Sequence, residues 1–395
     1  MSFRKKIKTY LRQGIFLTHF IRYIFFTKKV YKLFTVLLPF IKIRQNRIFC
    51  DHFGGGGYGD NPKYIAEKLH EKCLEYEIFF VYDKEKCNKD SFPEFIIPVP
   101  IYSFKHLFIL ATAKFWICDY RPLVHIHKKK NQFYIQTWHA IIGTKKSEKD
   151  SNDKLPKSYV QNAIADSRRI DLCIAGSEQM YAFHKNSFWY NGEILKSGCP
   201  RSDILFDAMK PIEMRDKLGF ENKKICMYAP TFRNSHSLEV YSLDFAQLKD
   251  NLEKKFSGEW IILLKLHPNI AYVSMNNLPN FVKNYSSYYD AQELLVMSDV
   301  LITDYSSIIY DFMLTERPAF IYATDFNDYE KERGFLIDLK ETPFPISTNN
   351  EELGKTISEF DSHSYSEKIF AFKNKVGSFD DGYASERIIE WIKKR

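Results

Sequence analysis

The chain reads as an α/β protein with two domains of parallel sheet that face each other across a cleft. Three observations predict this. Short apolar runs rich in Ile, Val, Phe and Tyr alternate with helix-period segments from Arg47 onward. The alternation comes as two series, parted by a polar, charged stretch near residues 205–224. A length of 395 residues is room for two or three domains. Strands that alternate with helices form parallel sheets covered on both faces, and ligands of such sheets bind beyond the carboxyl ends of the strands.

The first segment, residues 1–46, stands apart by charge. From Met1 to Cys50 there are twelve Lys and Arg and no Asp or Glu, so the formal net charge of +8 belongs to one end. The rest of the chain holds 45 basic against 49 acidic residues, a net of −4. Cationic clusters there alternate with apolar stretches, but no run reaches the roughly 20 apolar residues of a spanning helix. One or two amphipathic helices on an anionic membrane face are expected, against the plainer reading of a basic helix packed on the protein's own body.

The first series of strands is expected at Arg47–Cys50, Ile78–Tyr82, Phe115–Cys118, Phe133–Thr137, Leu172–Ala175 and Ile194–Lys196, with a helix from Pro62. The second is expected at Ile225–Ala229, Trp260–Leu266, Phe281–Lys283, Val300–Thr303 and Ala319–Tyr322, with helices at Ala291–Ser298 and Ser306–Leu314. This divides the chain into 1–46, a first α/β domain at 47–210 and a second at 211–395. A slightly acidic body disfavours nucleic acid as a partner. The seven cysteines are scattered, with no C-x-x-C pair, and read as reduced, buried thiols rather than a disulfide frame or zinc site.

The chemistry concentrates at strand ends. Val300 to Asp311 reads as strand, turn, helix. Ser306 and Ser307 stand at the cap and first turn, where free amides and two hydroxyls favour phosphate, and Asp311 follows as an acceptor for a polyol or sugar hydroxyl. His139 closes one first-domain strand and His267 one second-domain strand, and imidazole suits proton transfer near neutral pH. Arg201, Arg233 and Lys265 are cations placed to neutralise a pyrophosphate, with ordinary ion pairs as the plainer reading. Gly54 to Gly59 lacks the Lys-Ser/Thr of a P-loop and is expected as a flexible entrance loop. No His–carboxylate spacing suggests a metal, and no cofactor is expected.

Together these segments resemble the CDP-glycerol:poly(glycerophosphate) glycerophosphotransferase family. The resemblance is carried by Gly59-Asp60-Asn61-Pro62-Lys63, Gln136-Thr137-Trp138-His139-Ala140 with Lys145-Lys146, Gly176-Ser177-Glu178 and Gly198-Cys199-Pro200-Arg201. It continues through Tyr228 to Arg233, Lys265-Leu266-His267-Pro268, Asp299 to Asp311 and Asp380 to Ser385, in the family's order over roughly residues 47–392. The resemblance implies a GT-B fold of two Rossmann-like domains, peripheral attachment to the cytoplasmic face of the cell membrane, and no catalytic metal. It also implies that His139 and His267 are essential, and that Arg201, Thr231, Lys265, Ser306, Ser307 and Asp311 contact a CDP-polyol. The chain departs from the family at Ala140-Ile141-Ile142, where many members read Gly-Thr-Pro, and at Lys265, where others carry Arg.

The expected reaction is attack of an acceptor hydroxyl, deprotonated by His139, on the β-phosphorus of CDP-glycerol or CDP-ribitol, with release of CMP. The acceptor is expected to be a lipid-linked or polymeric glycan of the teichoic-acid or capsular kind. Two other readings remain open at the level of sequence: a GT-B glycosyltransferase using a nucleotide sugar, and a non-catalytic membrane-associated nucleotide-binding protein.

Overall fold

The computed structural model describes residues 40–121, 128–143, 146–231, 242–266, 278–326 and 337–395. Most of the basic segment thus lies outside the described residues. Its last residues already belong to the first strand, so the first sheet begins at Arg44 rather than 47.

The first sheet is built from β1 (Arg44–Asp51), α1 (Asp60–Lys72), β2 (Glu77–Tyr82), β3 (Ile96–Pro100), α2 (Phe104–Thr112), β4 (Ala113–Cys118), β5 (Phe133–Gln136), α3 (Lys157–Ser167), β6 (Leu172–Ala175), α4 (Glu178–Ser187) and β7 (Glu193–Lys196). Its strand order is β3-β2-β1-β4-β5-β6-β7, and every neighbouring pair is parallel. Strand β3 is not among the expected strands, because Pro98 and Pro100 break its pattern. At a sheet edge the missing N–H groups cost nothing in the ladder.

The second sheet follows from α5 (Lys210–Leu218), β8 (Lys224–Ala229), α6 (Phe245–Phe256), β9 (Trp260–Leu264), β10 (Val282–Asn284), α7 (Ala291–Met297), β11 (Val300–Thr303), α8 (Ile308–Phe312), β12 (Ala319–Tyr322), β13 (Ile346–Ser347), α9 (Asn350–Ser358), α10 (Ser362–Val376) and α11 (Ala384–Lys393). Its order is β10-β9-β8-β11-β12-β13, again all parallel. Both sheets are buried on two faces, which is why β4, β8 and β9 read as continuous apolar runs rather than alternating ones.

The final helix corrects the expected division at 211–395. Ile388, Ile389, Trp391 and Ile392 of α11 pack with Ile48, Phe115 and Ile174 of the first sheet, so the chain crosses back to the first domain. Each such buried side chain contributes roughly 1.5–3 kcal/mol. The crossing is fixed on the way by Phe379 N–H on the Gly176 carbonyl at 2.9 Å and Cys199 N–H on Asp380 Oδ1 at 2.7 Å. Burial pushes the Asp380 carboxyl up to about 8.

The domains also meet through α1. Its polar side is buried because the second domain covers it: Lys63 Nζ lies 2.6 Å from Asp290 Oδ2 and 2.5 Å from Glu293 Oε1, and Tyr64 donates its hydroxyl to Asp290 at 2.8 Å.

Candidate active site

In each sheet the strand order reverses once, between β1 and β4 and between β8 and β11. The crevice at such a switch point is where open parallel sheets bind ligands. Within two residues of the ends of these four strands stand His52, Asp119, Thr231 and Asp304, and His139 and Lys265 stand just beyond the neighbouring strands β5 and β9.

His139 is placed by a sharp turn. Thr137 N–H still pairs with the Cys118 carbonyl at 2.8 Å, as in a strand, but Trp138 adopts φ +51°, which ends the extended chain. Trp138 is held there by its N–H on Gln136 Oε1 at 3.0 Å and by Asn61 Nδ2 on its carbonyl at 2.9 Å. The His139 ring lies between Trp138 and Phe53, with centroids 4.4 and 4.9 Å away. Its Nδ1 is 2.8 Å from the Asp119 backbone carbonyl. A carbonyl can only accept, so Nδ1 carries the proton and, in the neutral ring, Nε2 carries the lone pair a general base needs.

Asp119 itself is fully buried, and its carboxylate serves a second imidazole. Oδ2 meets Nδ1 of His52, and Oδ1 accepts from Phe53 N–H at 3.1 Å. Burial alone would lower the His52 pKa, but Asp119, then Asp60 and Asp51, outweigh it and lift the imidazole to about 9. Asp60 opens α1 with φ +54°. Burial acts to raise its pKa, while Arg201 and His52 more than offset this and hold the carboxylate below its ordinary value. His52, Asp60 and Asp119 bring donor atoms within 4.8 Å of one another and are the set, among the described residues, that could hold a cation. No local pattern marks this cluster, because its members come from three separate segments: parallel pairing of β1 with β4 sets His52 near Asp119, and the start of α1 adds Asp60. Strand-end position is the signal that could have found His52 and Asp119.

Arg201 joins the two domains. Its Nε and Nη2 reach Asp311 Oδ1 and Oδ2 at 2.9 and 3.1 Å, while Nη1 reaches Asp60 Oδ2 and the His139 carbonyl, both at 2.9 Å. Both partners are buried, at 7% and 2% side-chain exposure, and Gln292 Nε2 adds a further contact to Asp311 at 3.2 Å. These two residues were expected to contact a donor. The fold instead directs them at each other and at the backbone that carries His139.

On the second-domain side, Thr231 directs its N–H and hydroxyl at the Asp304 carboxylate, 2.9–3.0 Å away. Lys265 Nζ donates to the Ser286 and Tyr288 carbonyls at 3.1 and 2.6 Å. Burial lowers its pKa to about 8, partly countered by Asp290. Helix α8 starts at Ile308, so Ser307 is its cap and takes helical φ and ψ, without a side-chain capping bond. Ser306 Oγ accepts only a long 3.4 Å bond from Ile308 N–H, and both serines are half-buried. His267 and Arg233 lie outside the described residues, as does Lys145.

The glycine stretch is tied down rather than loose. Gly55 N–H bonds Asp51 Oδ1 at 2.9 Å, and Asp83 N–H bonds the Gly55 carbonyl at 2.9 Å. Gly55 has φ +79°, and a Cβ there would meet the Asp83 nitrogen at 2.6 Å, so only glycine fits. A cavity of about 680 Å³ opens where this loop meets the second domain, lined by Tyr58, Lys63, Phe92, Tyr288 and Tyr289 among others. Tyr58 and Lys63 belong to segments singled out in the sequence, but none of the candidate catalytic or donor-binding residues that the structure describes lines it.

Two parallel-sheet domains, each with its strand order reversed at one switch point, define a GT-B-like fold. The family is then given by sequence comparison: residues 31–394 match the CDP-Glycerol:Poly(glycerophosphate) glycerophosphotransferase model, and the chain belongs to that family. It is 31% identical over 370 residues to a teichoic acid poly(glycerol phosphate) polymerase of Staphylococcus epidermidis, covering 89% of this chain and 51% of that protein. It is 30% identical over 367 residues to a teichoic acid glycerol-phosphate transferase of Staphylococcus aureus, covering 89% of this chain and 93% of that protein. The chain therefore spans about half of the first relative and nearly all of the second. Among solved structures it is similar to the wall teichoic acid polymerase TagF soaked with CDPG, with a TM-score of 0.82 and 29% identity over 100% of this chain and 98% of that one.

Proposed function

We propose that the protein transfers glycerol phosphate, or a related polyol phosphate such as ribitol phosphate, from a CDP-activated donor to a hydroxyl of a teichoic-acid-like or other cell-surface glycan, releasing CMP. The observation that carries this is the family match over residues 31–394 joined to a His139 whose Nδ1 is committed to a carbonyl. His139 Nε2 takes the proton of the acceptor hydroxyl. The acceptor oxygen forms a bond to the β-phosphorus as the bond from that phosphorus to the bridging oxygen breaks, and the electron pair leaves with CMP. Thr231, Arg233, Lys265, His267, Ser306 and Ser307 form the donor side. Arg201 and Asp311 support His139 from behind. Phosphoryl transfer depends mostly on positioning and on fixed charge, which such an arrangement supplies.

No helix among the described residues is long and apolar enough to cross a membrane. Twelve cations without an anion before Asp51 support attachment of residues 1–46 to an anionic membrane surface, at the cytoplasmic face. The test of function is a donor panel of CDP-glycerol, CDP-ribitol and nucleotide sugars with lipid-linked acceptors, read by mass spectrometry. A mass gain of one polyol phosphate with CMP release is expected. Sugar transfer with release of a nucleoside diphosphate would replace this reading by the glycosyltransferase one.

A further inference from the structure

Asn61 lies in the first turn of α1 and is fully buried, although its amide is polar at both ends. The reaction set out above gives it no part. Both ends are used. Nδ2 donates to the Trp138 carbonyl at 2.9 Å, and Oδ1 accepts from the Arg201 backbone N–H at 3.0 Å. The partners fix the amide's orientation, because a carbonyl can only accept and a backbone N–H can only donate. One side chain thus ties α1 to segments 77 and 140 positions away in sequence. Arg201 completes the arrangement, since its Nη1 donates to the next carbonyl, that of His139, at 2.9 Å. Two successive carbonyls of the turn that carries the base are therefore held by two residues that also bond each other.

We propose that Asn61 is a positioning residue for the general base, holding the Trp138–His139 turn so that the imidazole meets the Asp119 carbonyl. This rests on the reading that His139 deprotonates the acceptor hydroxyl. The turn needs a holder. Trp138 has φ +51°, a left-handed conformation that a bulky side chain keeps only where its surroundings impose it. Its N–H is held within its own segment by Gln136 Oε1 at 3.0 Å. The Thr137 hydroxyl also reaches the Trp138 carbonyl, at 3.1 Å, but its single proton has the Cys118 carbonyl as a second acceptor at 3.3 Å. Asn61 supplies the N–H that comes from outside this segment. If the turn relaxes toward ordinary backbone, Nδ1 of His139 moves off the Asp119 carbonyl, now 2.8 Å away, and that contact no longer selects Nδ1 as the site of the proton. The lone pair is then divided between the two ring nitrogens, and Nε2 is available as a base only part of the time.

The test compares the wild type with Asn61→Asp and Asn61→Ala, using CDP-glycerol and the acceptor that gives the greatest CMP release in the donor panel. Asn61→Asp keeps the size and the acceptor for the Arg201 N–H and removes the donor to Trp138. Asn61→Ala removes both without adding charge. Each is expected to lower kcat about 10- to 100-fold, the scale of a displacement of about 1 Å at a reacting group. CDP-glycerol affinity by calorimetry should stay within about threefold, because no donor contact is lost. A second readout follows the ring itself, by NMR of protein labelled with ¹⁵N-histidine, the His139 signals being identified by their absence in His139→Ala. The neutral ring should be the Nδ1–H tautomer in the wild type and a mixture in the variants. A purely structural Asn61 would lower thermal stability and move neither the kcat of the folded enzyme nor the tautomer. The inference is overturned by a kcat within about threefold of wild type in either variant, by a fall in kcat with the tautomer unchanged, or by donor affinity that falls as far as kcat. It is also overturned by an Nε2–H tautomer in the wild type, a result that needs no variant to fold. Near-normal turnover by His139→Ala would instead overturn the base assignment, and a wild type that releases no CMP would overturn the transferase reading.

Discussion

Nδ1 of His139 lies 2.8 Å from the backbone carbonyl of Asp119. The contact fixes which ring nitrogen holds the proton, and it leaves the lone pair of the neutral ring on Nε2. His139→Ala is expected to lower kcat by about 10²–10⁴-fold, because a general base is lost while the donor contacts remain. Calorimetry should show CDP-glycerol affinity near the wild-type value. Near-normal turnover would remove His139 from proton transfer.

Arg201 is expected to act through position rather than on the donor. Four of its guanidinium N–H groups are already directed at Asp311, Asp60 and the His139 carbonyl. Arg201→Ala leaves buried carboxylates unpaired and should cost roughly 3–5 kcal/mol in chemical denaturation. Arg201→Lys keeps the charge but loses the two-point pairing with Asp311, and it should lower kcat more than CDP-glycerol affinity. A loss of donor affinity with kcat preserved would put Arg201 back in contact with the donor.

Lys265 predicts a pH dependence on the donor side. Its folded pKa is about 8, below the ordinary 10.5, because burial disfavours the ammonium. CDP-glycerol affinity should therefore weaken as pH rises through about 8, and Lys265→Met should bind weakly without that dependence. For stability the sign is opposite. Between about 8 and 10.5 the unfolded chain holds more protons at this position than the folded one, so this group's contribution rises with pH. A donor affinity flat from pH 7 to 9 would show that Lys265 does not meet the phosphates.

Ser306→Ala combined with Ser307→Ala is expected to weaken CDP-glycerol binding. The motive is that neither hydroxyl is needed for a strong cap: Ser307 makes no capping bond and Ser306 only a 3.4 Å one. Unchanged affinity with lowered thermal stability would return the pair to a structural role.

Much of this was legible in the sequence, and the reasons it stopped are physical. Strands buried on both faces give unbroken apolar runs, so the long strands β1, β2, β4 and β8 were found to within a few residues. Strand β3 was hidden by its prolines and β13 by having only two residues. His139 was singled out because it follows a clear strand. His52 and Asp119 were not, since each is an ordinary residue until the pairing of β1 with β4 sets them together. Arg201 and Asp311 were read as ligand contacts because their mutual pairing spans 110 positions of sequence, which no local pattern reveals.

Deleting residues 1–39 removes nine of the twelve cations that precede Asp51 and leaves both sheets intact. The shortened protein should no longer float with anionic vesicles. Each basic residue near such a surface contributes on the order of 1 kcal/mol, and high salt should weaken full-length binding only in part because apolar insertion is not screened. Flotation of the shortened protein at the full-length level would place the attachment elsewhere.

The central claim is which bond breaks. CDP-glycerol labelled with ³²P at the β-phosphorus, the one next to glycerol, separates the possibilities in one incubation with a hydroxyl acceptor. The expected result is label in the extended acceptor and unlabelled CMP. Label retained in a released nucleoside diphosphate would mean cleavage on the glycerol side of that phosphorus, and would contradict polyol-phosphate transfer.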